Sequence, residues 1–126
     1  MTDKSTLKRF AMSQDEVMIT DEKTGAKKGC KPARFDLLPS DALWCLAEHY
    51  GRNCSKYPAR NWERGGAWSL NYGALQRHLQ AWWMGEDIDP MSAHKAYHLV
   101  AVAWHAIALL TYWLRGIGTD DRPRVL

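Results

Sequence analysis

The chain has 126 residues, 46% of them hydrophobic and 25% charged, which suits one globular domain able to bury a core without disulfide or zinc staples. Its net charge of +3 and pI near 8.8 are mildly basic. Its three cysteines, Cys30, Cys45 and Cys54, are odd in number and lack CxxC spacing, which argues against a disulfide framework or a zinc knuckle and for reduced thiols in a cytoplasm.

Residues 1–29 read as a polar arm without the apolar stretch of a signal peptide. Within it, Val17 to Thr20 and the turn signal Glu22-Lys23-Thr24-Gly25 predict a short hairpin. Lys31 to Pro39 carries two prolines and is expected to be extended. A first helix is predicted from Ser40, as N-cap, to about Tyr50, with Gly51 as its stop. Lys56 to Gly66 is an aromatic and basic loop, long for so small a domain and therefore a candidate for function. A second helix follows from about Leu70 to Met84, with Ser69 as N-cap and Gly85 as the residue that ends it. The third and longest is expected from Pro90 or Ser92 to Arg115, ending at Gly116, with Val100, Trp104, Ile107 and Leu110 buried. The apolar run Leu99 to Leu114 inside it is interrupted by His105 and Thr111 and is too short to span a bilayer. Residues 30–118 thus form an all-α helical domain, a small bundle behind an extended N-terminal arm, and 119–126 a loose tail.

Three features carry chemistry. Between the second and third helices lies Gly85-Glu86-Asp87-Ile88-Asp89-Pro90, whose crowded carboxylates suit a hard cation, Mg²⁺ or Mn²⁺. Asp89 is equally well placed to N-cap the third helix with Pro90 in its first turn. On that helix His94, His98 and His105 share one side at helical spacing. His98 is the candidate ligand, His105 reads as structural, and His78 on the second helix is placed to face the same point. In the loop, Lys56, Arg60 and Arg64 can neutralise phosphates, while Tyr57 or Trp62 can stack on a base and Asn61 can meet a purine edge. Each has a plain alternative: a solvated charge, or a tryptophan in the core. Seven tryptophans leave room for both uses. Lys and Arg outnumber acids between Lys27 and Arg77, which suits a triphosphate or a nucleic acid.

In order, Lys31-Pro32-Ala33-Arg34-Phe35-Asp36-Leu37-Leu38-Pro39, then Lys56-Tyr57-Pro58-Ala59-Arg60-Asn61-Trp62-Glu63-Arg64-Gly65, Ala74 to Leu79, Gly85 to Pro90, His98 and Ala103-Trp104 resemble the phage dATP/dGTP diphosphohydrolase-like domain. That family is in turn likened to the all-α MazG-type nucleotide pyrophosphohydrolases. The resemblance covers about residues 28–114. It implies cytoplasmic hydrolysis of a purine (deoxy)nucleoside triphosphate to monophosphate and pyrophosphate in a phage-infected host, with Mg²⁺ or Mn²⁺ as cofactor and a homo-oligomeric assembly. On this reading Glu86, Asp89 and His78 are catalytic, and Glu86, Asp89, His78 and His98 bind metal. Lys31, Arg34, Asp36, Lys56, Tyr57, Arg60, Asn61, Trp62 and Arg77 bind substrate. Typical MazG proteins carry ExxE and ExxD pairs. This chain has one ExxD, Glu86 and Asp89, and no ExxE, so a non-catalytic nucleotide-binding or nucleotide-sequestering protein is the alternative. A nucleic-acid-binding protein is a weaker third reading, set against the acidic corner, and no membrane partner is expected.

Overall fold

In a computed structural model, which describes residues 12–124, the first regular element among the described residues is a hairpin. Strands β1 (Val17–Thr20) and β2 (Lys27–Cys30) pair antiparallel, Val17 opposite Cys30 and Thr20 opposite Lys27. The turn closes locally. The Asp21 carboxylate accepts from the backbone N–H groups of Lys23 and Thr24 at 2.9 and 2.8 Å, and Gly25 takes φ +77°, the Asx-turn chemistry that needs no tertiary help. The hairpin expected from the sequence therefore forms, and the chain is mostly helical with a two-stranded sheet, not purely all-α. Residues 1–11 of the expected arm and 125–126 of the expected tail lie outside the described residues.

Three helices follow: α1 (Ser40–Arg52), α2 (Trp68–Trp83) and α3 (His98–Arg115). Their boundaries differ from the sequence expectation in instructive ways. Ser40 is the first helical residue rather than the cap, whose place Pro39 takes. Gly51 does not stop α1. The helix runs on into a 3₁₀ turn at Asn53–Ser55, where Ser55 Oγ donates to the Arg52 carbonyl at 2.9 Å. A side chain thus satisfies a carbonyl that a positive-φ glycine would otherwise have served.

Helix α2 starts before Ser69, which therefore does not cap it by its own side chain. The cap comes from the far end of the chain. Trp68 N–H donates to the Thr119 carbonyl at 3.0 Å, Ser69 N–H donates to Asp121 Oδ1 at 2.9 Å, and Ser69 Oγ donates to Asp121 Oδ2. The acid also sits favourably at the positive end of the helix dipole. Arg122 lies over the Trp68 ring, 5.0 Å from its centroid. Thr119 to Arg122, expected to be loose, are thus held against α2 by groups whose partners lie about fifty positions away in the chain. The other end of α2 is as expected: Gly85 at φ +102° closes it, with Glu86 N–H on the Ala81 carbonyl at 3.1 Å.

The largest correction concerns α3, which begins at His98 and not at Pro90 or Ser92. Residues 87–97 instead form a tight loop closed by an antiparallel bridge between Ile88 and Tyr97. Asp89 N–H donates to the Ala96 carbonyl at 2.9 Å and His98 N–H to the Asp87 carbonyl at 2.9 Å, while Asp89 Oδ1 accepts from Met91 N–H at 2.9 Å. Asp89 therefore caps the turn that runs through Pro90 to Ser92 rather than the helix, in keeping with the bias of a pre-proline residue away from helical geometry.

Helices α2 and α3 pack along their lengths, and α1 lies against α3. The core is aromatic: Trp68, Ala108 and Tyr112 are buried, with Trp62, Trp104, Leu109 and Ile117 against them. Tyr112 Oη donates to the Trp62 carbonyl at 2.6 Å and Trp68 Nε1 to the Ile117 carbonyl at 3.0 Å. The residues of α3 that turn inward are His98, Ala101, Ala108 and Tyr112. Val100 and Trp104 are half-buried, but Ile107 and Leu110, expected in the core, are 40% and 53% exposed. The shift follows from spacing: positions 101, 108 and 112 lie on the side of the helix opposite 107 and 110. Among the described residues, the hairpin makes no close contact with any helix, and no helix is long and apolar enough to cross a membrane.

Candidate functional site

A cleft of about 740 Å³ opens between the end of α1, the 53–62 segment, α2, the 87–97 loop and α3, a size suited to a nucleotide. Four of the chain's five histidines, His49, His78, His94 and His105, line it, and the fifth, His98, is hydrogen-bonded to His78. Three elements bring this about. The single glycine stop after α2 aims Glu86 back toward α3. The 87–97 loop returns Asp89 to the cleft and carries His94 away from His98, so the two do not form the helical pair expected of them. Finally, α3 starts at His98 and presents His98 and His105 inward.

His98 is 4% exposed. Its Nε2 lies 2.7 Å from Glu86 Oε1 and its Nδ1 lies 2.9 Å from His78 Nδ1. A carboxylate only accepts, so Nε2 carries a proton, and in the tautomer that carries no other Nδ1 presents a lone pair toward His78. One ligand atom from each of His78, Asp89 and His98 lies within 4.8 Å of the others. Burial, outweighing the nearby Asp89 charge, keeps the His78 imidazole below its ordinary pKa, so at neutral pH it is uncharged, as a metal ligand must be. His105 stacks on His78 at 5.9 Å between centroids and shares a 2.8 Å hydrogen bond with Asn71 Oδ1. Burial pushes its pKa down to about 4.

The donor set answers whether a divalent cation fits. Two facing imidazole nitrogens would repel as bare lone pairs, and either an N–H between them or a shared cation resolves this. Two imidazoles with one carboxylate suit Mn²⁺ and its neighbours better than Mg²⁺, which favours all-oxygen ligation. Glu86 on the remote nitrogen of His98 is the outer carboxylate that orients and polarises metal-binding histidines. The residues therefore fit an ion of the Mn²⁺ kind, held by His78, Asp89 and His98, with Glu86 one step removed.

The other residues singled out from the sequence divide. Lys56, Tyr57, Arg60, Asn61 and Trp62 line the cleft. Lys56 Nζ sits over the Tyr57 ring, 5.2 Å from its centroid, and Arg60 pairs with Glu63 at 2.7 Å while itself largely exposed. Trp62, for which the sequence leaves base stacking and core packing open, borders the cleft and is also packed: its ring meets Tyr50, Trp104 and Tyr112 at centroid distances of 6.2 Å each. Lys31, Arg34 and Asp36 do not reach the cleft. Lys31 Nζ bonds Gln14 at 3.2 Å, and Arg34 forks onto Asp36 with two 2.8 Å bonds, both side chains exposed. Arg77 is exposed on α2 and does not line the cleft, although its charge is felt at His78. His49, His105, Asn71 and Trp104 also line the cleft, and the sequence reading gave none of them a place in the site. For the two histidines the only signal was that all five histidines lie between positions 49 and 105.

No curated protein and no solved structure matches the chain. A protein-family model described as dATP/dGTP diphosphohydrolase, N-terminal, matches residues 22–122, which takes in β2, the three helices and every residue that lines the cleft. The chain belongs to that family.

Proposed function

We propose that the chain hydrolyses purine (deoxy)nucleoside triphosphates to monophosphate and pyrophosphate with the help of a divalent cation of the Mn²⁺ kind. The observation that carries this is the convergence of His78, Asp89 and His98 ligand atoms within 4.8 Å on a nucleotide-sized cleft edged by Lys56 and Arg60. The family's printed description supports the reaction class. The cation, when bound, neutralises phosphate oxygens and lowers the pKa of an attacking water. The chain's own groups do the rest. Glu86 fixes the tautomer of His98, and burial keeps His78 neutral. Lys56 and Arg60 offer cationic donors to the phosphates. Likeness to MazG-type enzymes in fold and a cytoplasmic place of action in an infected host belong to the same proposal. So does self-association through the exposed apolar side of α3.

The rival reading is a module that binds the nucleotide without cleaving it. A single carboxylate in the ligand cluster, where MazG enzymes use two acidic pairs, favours it. The deciding experiment is incubation with each dNTP and NTP plus Mn²⁺ and separation of the products. Release of pyrophosphate from dATP or dGTP, lost in Asp89→Asn, is the expected result. Saturable binding with intact triphosphate would leave the binding module. Glu86→Gln should keep the fold and weaken Mn²⁺ affinity by about 10–100-fold, the usual cost of losing an outer partner of a metal-bound histidine. Unchanged Mn²⁺ affinity in that variant would detach Glu86 from the site.

A further inference from the structure

We propose that His49, His94 and Trp104 form the subsite that reads the purine base by its N7 edge. The inference rests on the nucleotide reading above. The side chains of His49 and His94 make no hydrogen bond at either nitrogen to any described residue. The covered atoms His49 Nδ1, His94 Nε2 and Trp104 Nε1 are buried and without partners, and they are the only such side-chain atoms among the described residues. They are also neighbours. The His49 ring lies edge-on to His94 at 5.7 Å and to Trp104 at 6.4 Å, and all three line the cleft that holds His78 and Asp89.

A buried polar atom left unpaired costs about 1–3 kcal/mol, so three together in one wall point to a group that arrives from outside. The chemistry of the trio narrows what that group is. Indole N–H is a donor only, so the occupant must bring an acceptor, and a cation would be repelled. An imidazole nitrogen donates or accepts according to tautomer, so the two histidines match either kind of neighbour. The surroundings are apolar rings: Trp104 meets Tyr50 at 6.0 Å and Trp62 at 6.2 Å. Burial and the nearby His94 and His78 hold His49 below its ordinary pKa. A poorly solvated wall of rings disfavours a phosphate and accepts an uncharged base.

The two purines share one acceptor, N7, and differ beside it: adenine offers the N6 amino donor, guanine the O6 acceptor. A fixed N–H for N7 with a tautomer-switching imidazole for the neighbouring position takes both. Pyrimidines have no atom equivalent to N7 and leave the indole N–H unpaired. Trp104 Nε1 is covered, so this reading requires the neighbouring His49 ring, which has no hydrogen bond to hold it, to turn aside as the base enters.

The test is equilibrium binding, in Mn²⁺, of dATP, dGTP, their 7-deaza analogues, dTTP, dCTP and inorganic triphosphate. Wild type is expected to bind the two purines about ten-fold or more tighter than the pyrimidines, with the 7-deaza analogues weakened to near the pyrimidine level, since one lost hydrogen bond in a buried site is worth about a factor of ten. His49→Phe, His94→Phe and Trp104→Phe, which keep a ring and remove nitrogen, should abolish the purine preference and leave inorganic triphosphate affinity unchanged. The analogue series on wild type needs no substitution, so it stands even if a variant fails to fold. Equal binding of 7-deaza and natural purines overturns the proposal. So does a parallel loss of inorganic triphosphate binding in the variants, which would mark an anion site, or loss of a second Mn²⁺ equivalent, which would mark a cation site. Purine-selective binding without turnover would sink the hydrolase reading and keep this one. Turnover of all four dNTPs with equal affinity would do the reverse.

Discussion

At the scale of single residues, Trp62 separates what the chemistry of a side chain permits from what its position uses. A tryptophan between Asn61 and Glu63 in a basic loop is as good a stacking platform as any, and the sequence offers no way to choose. In the structure its carbonyl accepts from Tyr112 and its ring is flanked by Tyr50, Trp104 and Tyr112. Trp62→Ala should therefore cost stability, about 3 kcal/mol at the low end for a partly buried tryptophan. Nucleotide affinity per folded molecule should change little. Thermal melting and binding measured on the same variant decide it, and an unchanged melting temperature with weakened binding would restore the stacking role. His105 gives a pH prediction. Its pKa is about 4 in the fold against about 6.5 in an unfolded chain. Between those values the unfolded chain binds a proton that the folded chain refuses, so stability falls as pH drops from 6.5 toward 4 and the loss levels off below. His49 and His78 are depressed in the same direction and add to the slope. Melting temperature with EDTA present should fall between pH 7 and pH 5, and His105→Gln should flatten that fall while keeping a partner for Asn71. A slope unchanged by the substitution would remove His105 from the account.

At the scale of elements, the sequence carried the hairpin and the identity of each helix, because those are local matters: an Asx turn, glycine stops at Gly85 and Gly116, apolar periodicity. The start of α3 was hidden because Pro90, Ser92 and the residues after them are tolerable in a first helical turn. What keeps 87–97 out of the helix is tertiary in effect, the Ile88–Tyr97 bridge and the bond from His98 N–H to the Asp87 carbonyl. The same loop explains why the acidic corner could be foreseen in the site while the His94–His98 pairing could not. Lys31, Arg34 and Asp36 sit in a motif of the right composition, but their segment follows a hairpin that touches no helix and ties its own charges together. The attachment of residues 119–122 had no local signal at all, since Asp121 and Ser69 meet across the fold. That attachment depends on a close backbone crossing. Gly118 has φ +80°, and a Cβ there would lie 2.5 Å from the Gly66 carbonyl oxygen. Gly118→Ala must pay left-handed strain of about 1–2 kcal/mol and push Gly66 away. It should lower the melting temperature and speed proteolysis of the 119–124 segment more than Asp121→Ala does. Equal protection of that segment in wild type and Gly118→Ala would show that the crossing is not what holds it.

At the scale of the whole molecule, the unresolved tension is α3. From His98 to Leu114 it carries no Lys, Arg, Asp or Glu, and a helix apolar on every side belongs inside a protein. Here only one side is inside. Leu99, Ile107 and Leu110 are 44%, 40% and 53% exposed, and Leu110 with Tyr72, Leu109 and Trp113 borders a shallow hollow of about 610 Å³. An apolar stripe beside an apolar hollow is the surface that soluble proteins cover with a partner. A second copy is the simplest cover. In a two-fold arrangement the stripe meets itself, and a stripe without charge meets itself without repulsion, each copy offering a ridge and a hollow. The cleft opens on the opposite side of α3, toward Ala101, Trp104 and His105, so pairing through Leu110 leaves the site open. Leu110→Lys places like charges on both copies at the centre of the contact. Wild type should sediment as a dimer and show a melting temperature that rises with protein concentration over roughly a hundred-fold range. Leu110→Lys should sediment as a monomer, with the same helical circular dichroism and the same Mn²⁺ affinity. A wild type that is monomeric throughout that range, or a Leu110→Lys dimer, would mean that some other surface covers this face of α3.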